Sequence, residues 1–430
     1  MTAAMDILSC SDVTAAGMAM RWLITAVRDH GLTITPTTVV SWGKNTSQTL
    51  ASTQFKAIAP IMNCSSQLRY RTGAAAPRRP DRCRSTTRRI AAALPSTLWP
   101  AWWCRLGVGG RNPGLQRLAL PCAVLIVGTR LDWSDAARYL GSVIGAHSAG
   151  QEIARFATGP HWPALQVALI GLSDYLADHR TAINYRRRRC LDYTGLLPDA
   201  QWGQICRHVE SDAAGCVPAG LARLVLFEKI TAMPARCAPF ASGPRPSQAT
   251  IDNAALLLTP GQMDGMNGAA SEFLNSHKIR EPVTWHPPVR LLNGLDLPGR
   301  DPRSINRDVL LALAAPRDLS AHQLAHRLGT DAATVRHLLD AHPAPTLSYA
   351  ARVRRRSAPV MDATRSTLTP EQFVELYVNQ ALSLKEIAHR LGVSRKRSPG
   401  SRKRKASDCG HQVRRRASAA STPPGFMSST

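Results

Sequence analysis

The sequence predicts an all-α, multi-domain protein that carries tandem helix-turn-helix units joined by basic linkers and ended by a basic tail. Three observations lead there. Aromatic residues make up only 5% of the chain, too few for a sheet-rich core. Apolar residues recur at helical spacing in several long stretches. The clearest of these stretches open on Ser or Thr with Gln or Glu three residues later and stop at a glycine, the start and stop signals of short helices.

Taken in order, residues 1–68 read as short helices. Residues 16–29 set Met20, Leu23, Ile24 and Val27 on one face, and a second segment begins at Pro36. Residues 69–89 are rich in Arg, Ala, Pro and Gly without apolar periodicity, which predicts a basic linker or disordered arm. Residues 90–237 form a helical domain, with an apolar run at 118–127 and an amphipathic helix at 162–179. Residues 238–303 read as a linker holding a short helix near 256–274 and a Pro-rich extended stretch at 281–303. Two helix-turn-helix units follow, at 304–345 and 367–398, separated by a basic linker at 346–366. Residues 399–430 cannot bury a core and read as a disordered tail.

The second unit is the more informative. Thr369-Pro370-Glu371-Gln372 is a cap, a proline at the first helical position and a capping-box glutamine, and the helix is expected to bury Phe373, Leu376 and Tyr377. Ser383-Leu384-Lys385-Glu386 is a second box, followed by Ile387, Ala388 and Leu391 facing inward and a turn at Gly392. Ser394 then caps a third helix that opens with Arg395 and Lys396, so Ser383, Ser394, Arg395 and Lys396 are the candidate DNA contacts. The first unit repeats the plan. Ser320 and Gln323 form the box, Leu324, Ala325 and Leu328 the inner face, Gly329 the turn and Thr330 the next cap. Its third helix places Val335, Leu338 and Leu339 inward and Thr334, Arg336 and His337 outward. Thr330, Thr334, Arg336 and His337 are therefore candidate contacts as well. Aligned on their glycines, residues 323–329 and 386–392 match almost position for position, and Ser134 to Gly141 is a weaker third copy. Asp331, at the start of the first unit's third helix, is unfriendly to phosphate. It leaves open a structural or dimerising role for that unit.

Charge and composition narrow the partners. A net charge of +25 favours approach to a polyanion, because each neutralised phosphate releases condensed counterions. Ten cysteines stand singly, with no C-x-x-C pair, so reduced thiols, no metal and no cofactor are expected. The apolar run at 118–127 is about half of the ~20 residues a membrane span needs, and no secretory signal is visible. A cytoplasmic, non-membrane protein is expected. Enzyme motifs are poor. Ala146-His147-Ser148-Ala149-Gly150 resembles a nucleophile elbow but lacks the flanking strand-and-helix series. Gly107 to Gly110 lacks the spacing of a dinucleotide loop, and no phosphate-binding lysine loop is present. The chain is not expected to be an enzyme.

Residues 368–396 resemble the helix-turn-helix of serine recombinases of the Hin and resolvase type, without their catalytic domain. A larger part of the chain resembles the C-terminal portion of actinobacterial TniQ-type transposition-associated proteins. That resemblance rests on Arg21 to Ile24, Trp42-Gly43-Lys44, Gln67 to Arg71, Leu94 to Trp102 and the final motif. It implies DNA binding in transposition or recombination, with a transposase or a transposition ATPase as partner. The zinc module typical of that family has no counterpart here, which would make the chain a fragment. Transcriptional regulation is the alternative function. One feature departs from the family motif: Lys396 is followed by Arg397-Ser398-Pro399-Gly400-Ser401-Arg402, and Pro399 with Gly400 would break the third helix after about one turn. Deleting one G from codons for K-T-V-A-R-L-A yields K-R-S-P-G-S-R, the sequence found. A frameshifted, non-functional gene fragment is therefore a third reading.

Overall fold

The computed structural model describes residues 2–42, 46–108, 112–209, 217–240, 246–344, 369–380 and 382–390. Helices account for 64% of the structure and no strand occurs among the described residues, as an all-α fold requires. The chain divides into two compact units, Met1–Thr346 and Leu347–Thr430.

Four hydrophobic clusters organise the first unit. The N-terminal region holds α1 (Thr2–Leu8), α2 (Val13–Ala19), α3 (Arg21–Asp29), α4 (Pro36–Trp42) and α5 (Gln48–Ile58), of which α3, α4 and α5 supply its cluster. Ile24, Val39, Phe55 and Ile58 are its centre. The helix expected over 16–29 is divided at Met20, which ends α2 and precedes α3. Gly17 is required where these helices cross, since a Cβ there would lie 2.4 Å from that of Lys56 on α5.

The largest cluster gathers α6 (Cys64–Arg69), α7 (Arg84–Ala93), α8 (Pro100–Leu106), α9 (Pro113–Ile126), α10 (Trp133–Leu140), α11 (Ala146–Ala157), α12 (Trp162–Asp178) and α13 (Tyr185–Arg189). The apolar run becomes α9, wholly buried from Leu118 to Ile126 with Pro121 inside the helix. Trp99, Trp102 and Trp103 are buried beside it. Each indole N–H finds an acceptor, on Tyr185, Pro287 and Asp331 respectively, as buried tryptophans require.

A third cluster belongs to α14 (Asp199–His208), α15 (Ala219–Thr231), α16 (Gln248–Leu257) and α17 (Pro260–Ser276). It runs through the stretch read as linker from 238, because Ile251, Ala254, Met266, Phe273 and Leu274 supply a buried face there. The Pro-rich stretch after Glu281 forms only short 3-10 turns, at Val289–Leu292 and Pro302–Ser304. The fourth and smallest cluster holds α18 (Arg307–Ala314), α19 (Ala321–Leu328) and α20 (Ala332–Ala341) around Leu310, Leu324 and Val335.

The basic segment 69–89 is a correction to the sequence reading. Its lack of apolar periodicity reflects packing through polar atoms rather than disorder. Pro77 is buried, and its carbonyl accepts from Ser52 at 2.6 Å. Thr72 bonds Gln166 at 3.1 Å, and Arg71 and Arg82 turn their guanidinium groups inward.

In the second unit, α21 (Pro370–Val374) widens into a π turn over Glu375–Asn379, and α22 (Leu384–Arg390) follows. Ile387 is buried and Leu376 half-buried, whereas Tyr377, expected inside, is 48% exposed. The wider turn changes the helical phase by one residue per turn, which is enough to move a side chain off the inner face. Phe373's side chain and residues 391–398 lie outside the described residues.

Candidate nucleic-acid interface

The first predicted hairpin forms the local geometry its sequence dictates, and in the second the capping boxes before the turn are formed, the turn itself lying outside the described residues. In the first, the Gln323 N–H donates to Ser320 Oγ at 3.2 Å and the Ser320 N–H donates to Gln323 Oε1 at 2.9 Å, closing the capping box. Gly329 ends α19 at φ +63°, and the Thr330 N–H returns to the Ala325 carbonyl at 2.9 Å. In the second unit, Thr369 and Gln372 exchange the same two bonds at 3.3 and 3.0 Å. Ser383 accepts from the Glu386 N–H at 3.3 Å and donates its own N–H to Glu386 Oε2 at 2.9 Å. The third copy is a hairpin too: Asp132 caps α10, Gly141 turns at φ +56°, and α9 packs on both α10 and α11.

The candidate contacts of the first unit are placed differently from the sequence reading. Thr330 is not the cap of α20. Asp331 is, accepting from the N–H groups of Ala333 and Thr334 at 2.9 and 3.0 Å. The same carboxylate accepts Thr334 Oγ1 at 2.8 Å and the Trp103 indole at 3.2 Å. Thr334, expected outward, is 2% exposed. Arg336 points into the body, with one Nη1 3.1 Å from Glu228 and 2.7 Å from Asp252. Burial works against its charge, yet these two carboxylates outweigh it and raise its pKa. His337 is half-buried, and burial lowers its pKa despite the nearby Asp340. The physical reason is common to all of them: α20 packs on α8 and α16 as well as on α19, so its second face meets protein. The sequence phase of α20 identifies one apolar face correctly. It cannot show that the polar face docks on acids from α15 and α16.

In the second unit Ser383 is exposed and holds its place as a helix cap. Ser394, Arg395 and Lys396 lie outside the described residues.

Arginines outside the hairpins carry structure that composition did not suggest. Arg188 is wholly buried, paired with Glu281 at 3.0 Å and donating to the carbonyls of Ile230 and Val283. Arg189 donates to the carbonyls of Leu94 and Ala91 at the end of α7. Arg71 and Arg82 share Asp174, at 3.1 and 2.5 Å. No local sequence signal marks these residues, because their partners are around a hundred positions away or are backbone carbonyls.

The weak elbow motif is the first turn of α11, capped by Gly145 and preceded by no strand. Among the described residues no group of three or more His, Cys, Asp or Glu could hold a metal ion, and no helix is long and apolar enough to cross a membrane. Comparison with protein-family models, curated proteins and solved structures gives no match to this chain.

Proposed function

We propose that this is a DNA-binding helix-turn-helix protein working in the cytoplasm, in transposition or recombination, with a transposase or transposition ATPase as protein partner. The observation that carries the reading is the C-terminal hairpin on a chain of net charge +25. Its capping boxes at Thr369 and Ser383 are formed, and its sequence continues into the turn Gly392 and the cationic start Ser394-Arg395-Lys396. That arrangement delivers backbone N–H groups and two cations to a phosphate backbone and sets a short helix toward base edges. The role assigned to Thr334 and Arg336 on sequence grounds is not part of this proposal, because both side chains are taken up by the protein itself.

The truncating residues Pro399 and Gly400 set the expected mode: salt-sensitive binding with little sequence preference. The test compares the chain with a version whose reading frame is restored after Lys396, against a random duplex pool and sequences selected from it. Restoration is expected to add site-specific binding worth ~4–10 kcal/mol over the non-specific mode. A chain that fails to bind duplex DNA even at low salt would overturn the reading.

A further inference from the structure

Residues 69–82 gather an excess of cations around few acids. Arg71 adopts a left-handed backbone at φ +54°, unusual for a side-chain-bearing residue. Its guanidinium and that of Arg82 are each 5% exposed and converge on Asp174, whose carboxylate is 41% exposed. Arg82 also donates to the Ser173 carbonyl at 3.1 Å. Gly128, at φ +67°, makes room for the pair: a Cβ there would stand 2.7 Å from Arg71 Nε and 3.0 Å from Arg82 Nε. Neither Nε–H has a partner among the described residues. Burial first, then the neighbouring Arg71, pushes the Arg82 pKa down to about 10, so the two cations oppose each other.

Further cations surround this anchor. Arg78 lies close enough to disfavour the charge on both Arg71 and Arg82, and its own contact with Asp81 is long, 3.7 Å, and half-exposed. Burial raises the pKa of the half-buried Tyr70, and the charges of Arg69, Arg130 and Arg79 act against that rise. Arg69 is pinned by the Leu131 carbonyl at 2.9 Å, and Arg130 is exposed. Asp81, Asp174 and Asp178 are the acids that act on the cluster, and the arginines outnumber them. Buried arginines that served only the fold would be matched by acids or carbonyls, as Arg188 and Arg336 are. Arg69, Arg71 and Arg82 are matched in the same way, but Arg78 and Arg130 stand exposed beside them, and the shared carboxylate reaches the surface. Exposed guanidinium forks beside an anchored cationic centre can meet a phosphate bidentately.

We propose that the arginine cradle of residues 69–82, with Arg130, is a second DNA contact that grips the phosphodiester backbone without reading sequence. It rests on the DNA-binding reading above but uses no residue of the hairpins.

The experiment measures affinity of the full chain for a random-sequence duplex over a series of salt concentrations, for the wild type and for Arg78→Gln/Arg130→Gln. Each lost phosphate contact lowers the log–log salt slope by about 0.9, so the pair is expected to lower it by about 2 and weaken binding on the order of tenfold to thirtyfold at physiological salt. Arg78→Lys/Arg130→Lys keeps the charge and is expected to retain most of the slope. Both pairs should melt at the wild-type temperature; should the Gln pair melt early, Arg130→Gln alone carries the test, with a slope change of about 1. An unchanged slope in a chain that binds DNA overturns the cradle and leaves the hairpin reading standing. Equal losses in the Gln and Lys pairs also overturn it, since they would mark a structural effect. A wild-type chain that does not bind overturns both.

Discussion

The two helix-turn-helix segments share a turn sequence and differ in the residues that follow it. Residues 323–329 and 386–392 are nearly the same peptide, and both units form Ser-anchored capping boxes with a Gln or Glu partner. After the first turn comes Asp331, which caps α20 and accepts both the Trp103 indole and the Thr334 hydroxyl, and then Arg336, which docks on carboxylates of the body. After the second come Ser394, Arg395 and Lys396, with no acid among the next several positions. A helix-turn-helix sequence therefore specifies a hairpin. On the proposed reading, the three or four residues beyond its turn decide whether the next helix addresses protein or a polyanion. An aspartate at the cap and an arginine five residues later suit an acid-lined protein groove; a serine cap followed by two cations suits phosphate.

The largest expected effect that separates the two is at Arg336. Arg336→Ala would leave Glu228 and Asp252, one-tenth to one-seventh exposed, without the cation paired to both and with only the charge of Arg117 nearby among the described residues. Removing one partner of such a buried network costs about 3–5 kcal/mol. Among the described residues Arg390 of the second hairpin meets Gln380 alone, and both are exposed. Arg390→Ala should therefore change stability by no more than about 0.5 kcal/mol. Chemical denaturation of the full chain checks both. Equal, small effects would mean that α20 is not docked as described.

A smaller effect sharpens the same contrast through pH. Burial depresses the His337 pKa below its ordinary value near 6.5, so the folded chain takes up this proton less readily than the unfolded one. Above pH 6.5 both states are neutral at this site and it contributes no pH dependence. As pH falls below 6.5, the unfolded chain is protonated first and stability is lost. His337→Gln should flatten that part of the stability curve, measured as the denaturation midpoint from pH 7.5 down to about 5. A variant curve that falls as steeply as wild type would place His337 in solvent, as the sequence reading had it.

Much of the fold was legible in the sequence, and the reasons are local. Capping boxes at Ser320, Thr369 and Ser383 and the turn glycines Gly141 and Gly329 act within four residues of themselves, so their geometry follows from the residue types. The amphipathic run became α12 within a residue of its expected end. What periodicity could not reach was long-range and polar. The segment 69–89 has no apolar stripe because Arg71, Thr72 and Arg82 bury polar atoms against Asp174 and Gln166. The inward turn of Thr334 and Arg336 is set by Trp103, Glu228 and Asp252, which lie far away in the chain. Of the candidate site, the hairpin scaffold was readable, and the identity of the face left for a partner was not.

The central claim is that the second hairpin addresses DNA while the third helix of the first is committed to protein. Photo-crosslinking of the full chain to a duplex carrying photoreactive nucleotides, followed by peptide mapping, tests it directly. The account predicts crosslinks on the peptide that spans Ser383 to Lys396 and none on α20. Crosslinks at Thr334, Arg336 or His337, with the peptide around Ser394 to Lys396 unlabelled, would contradict it.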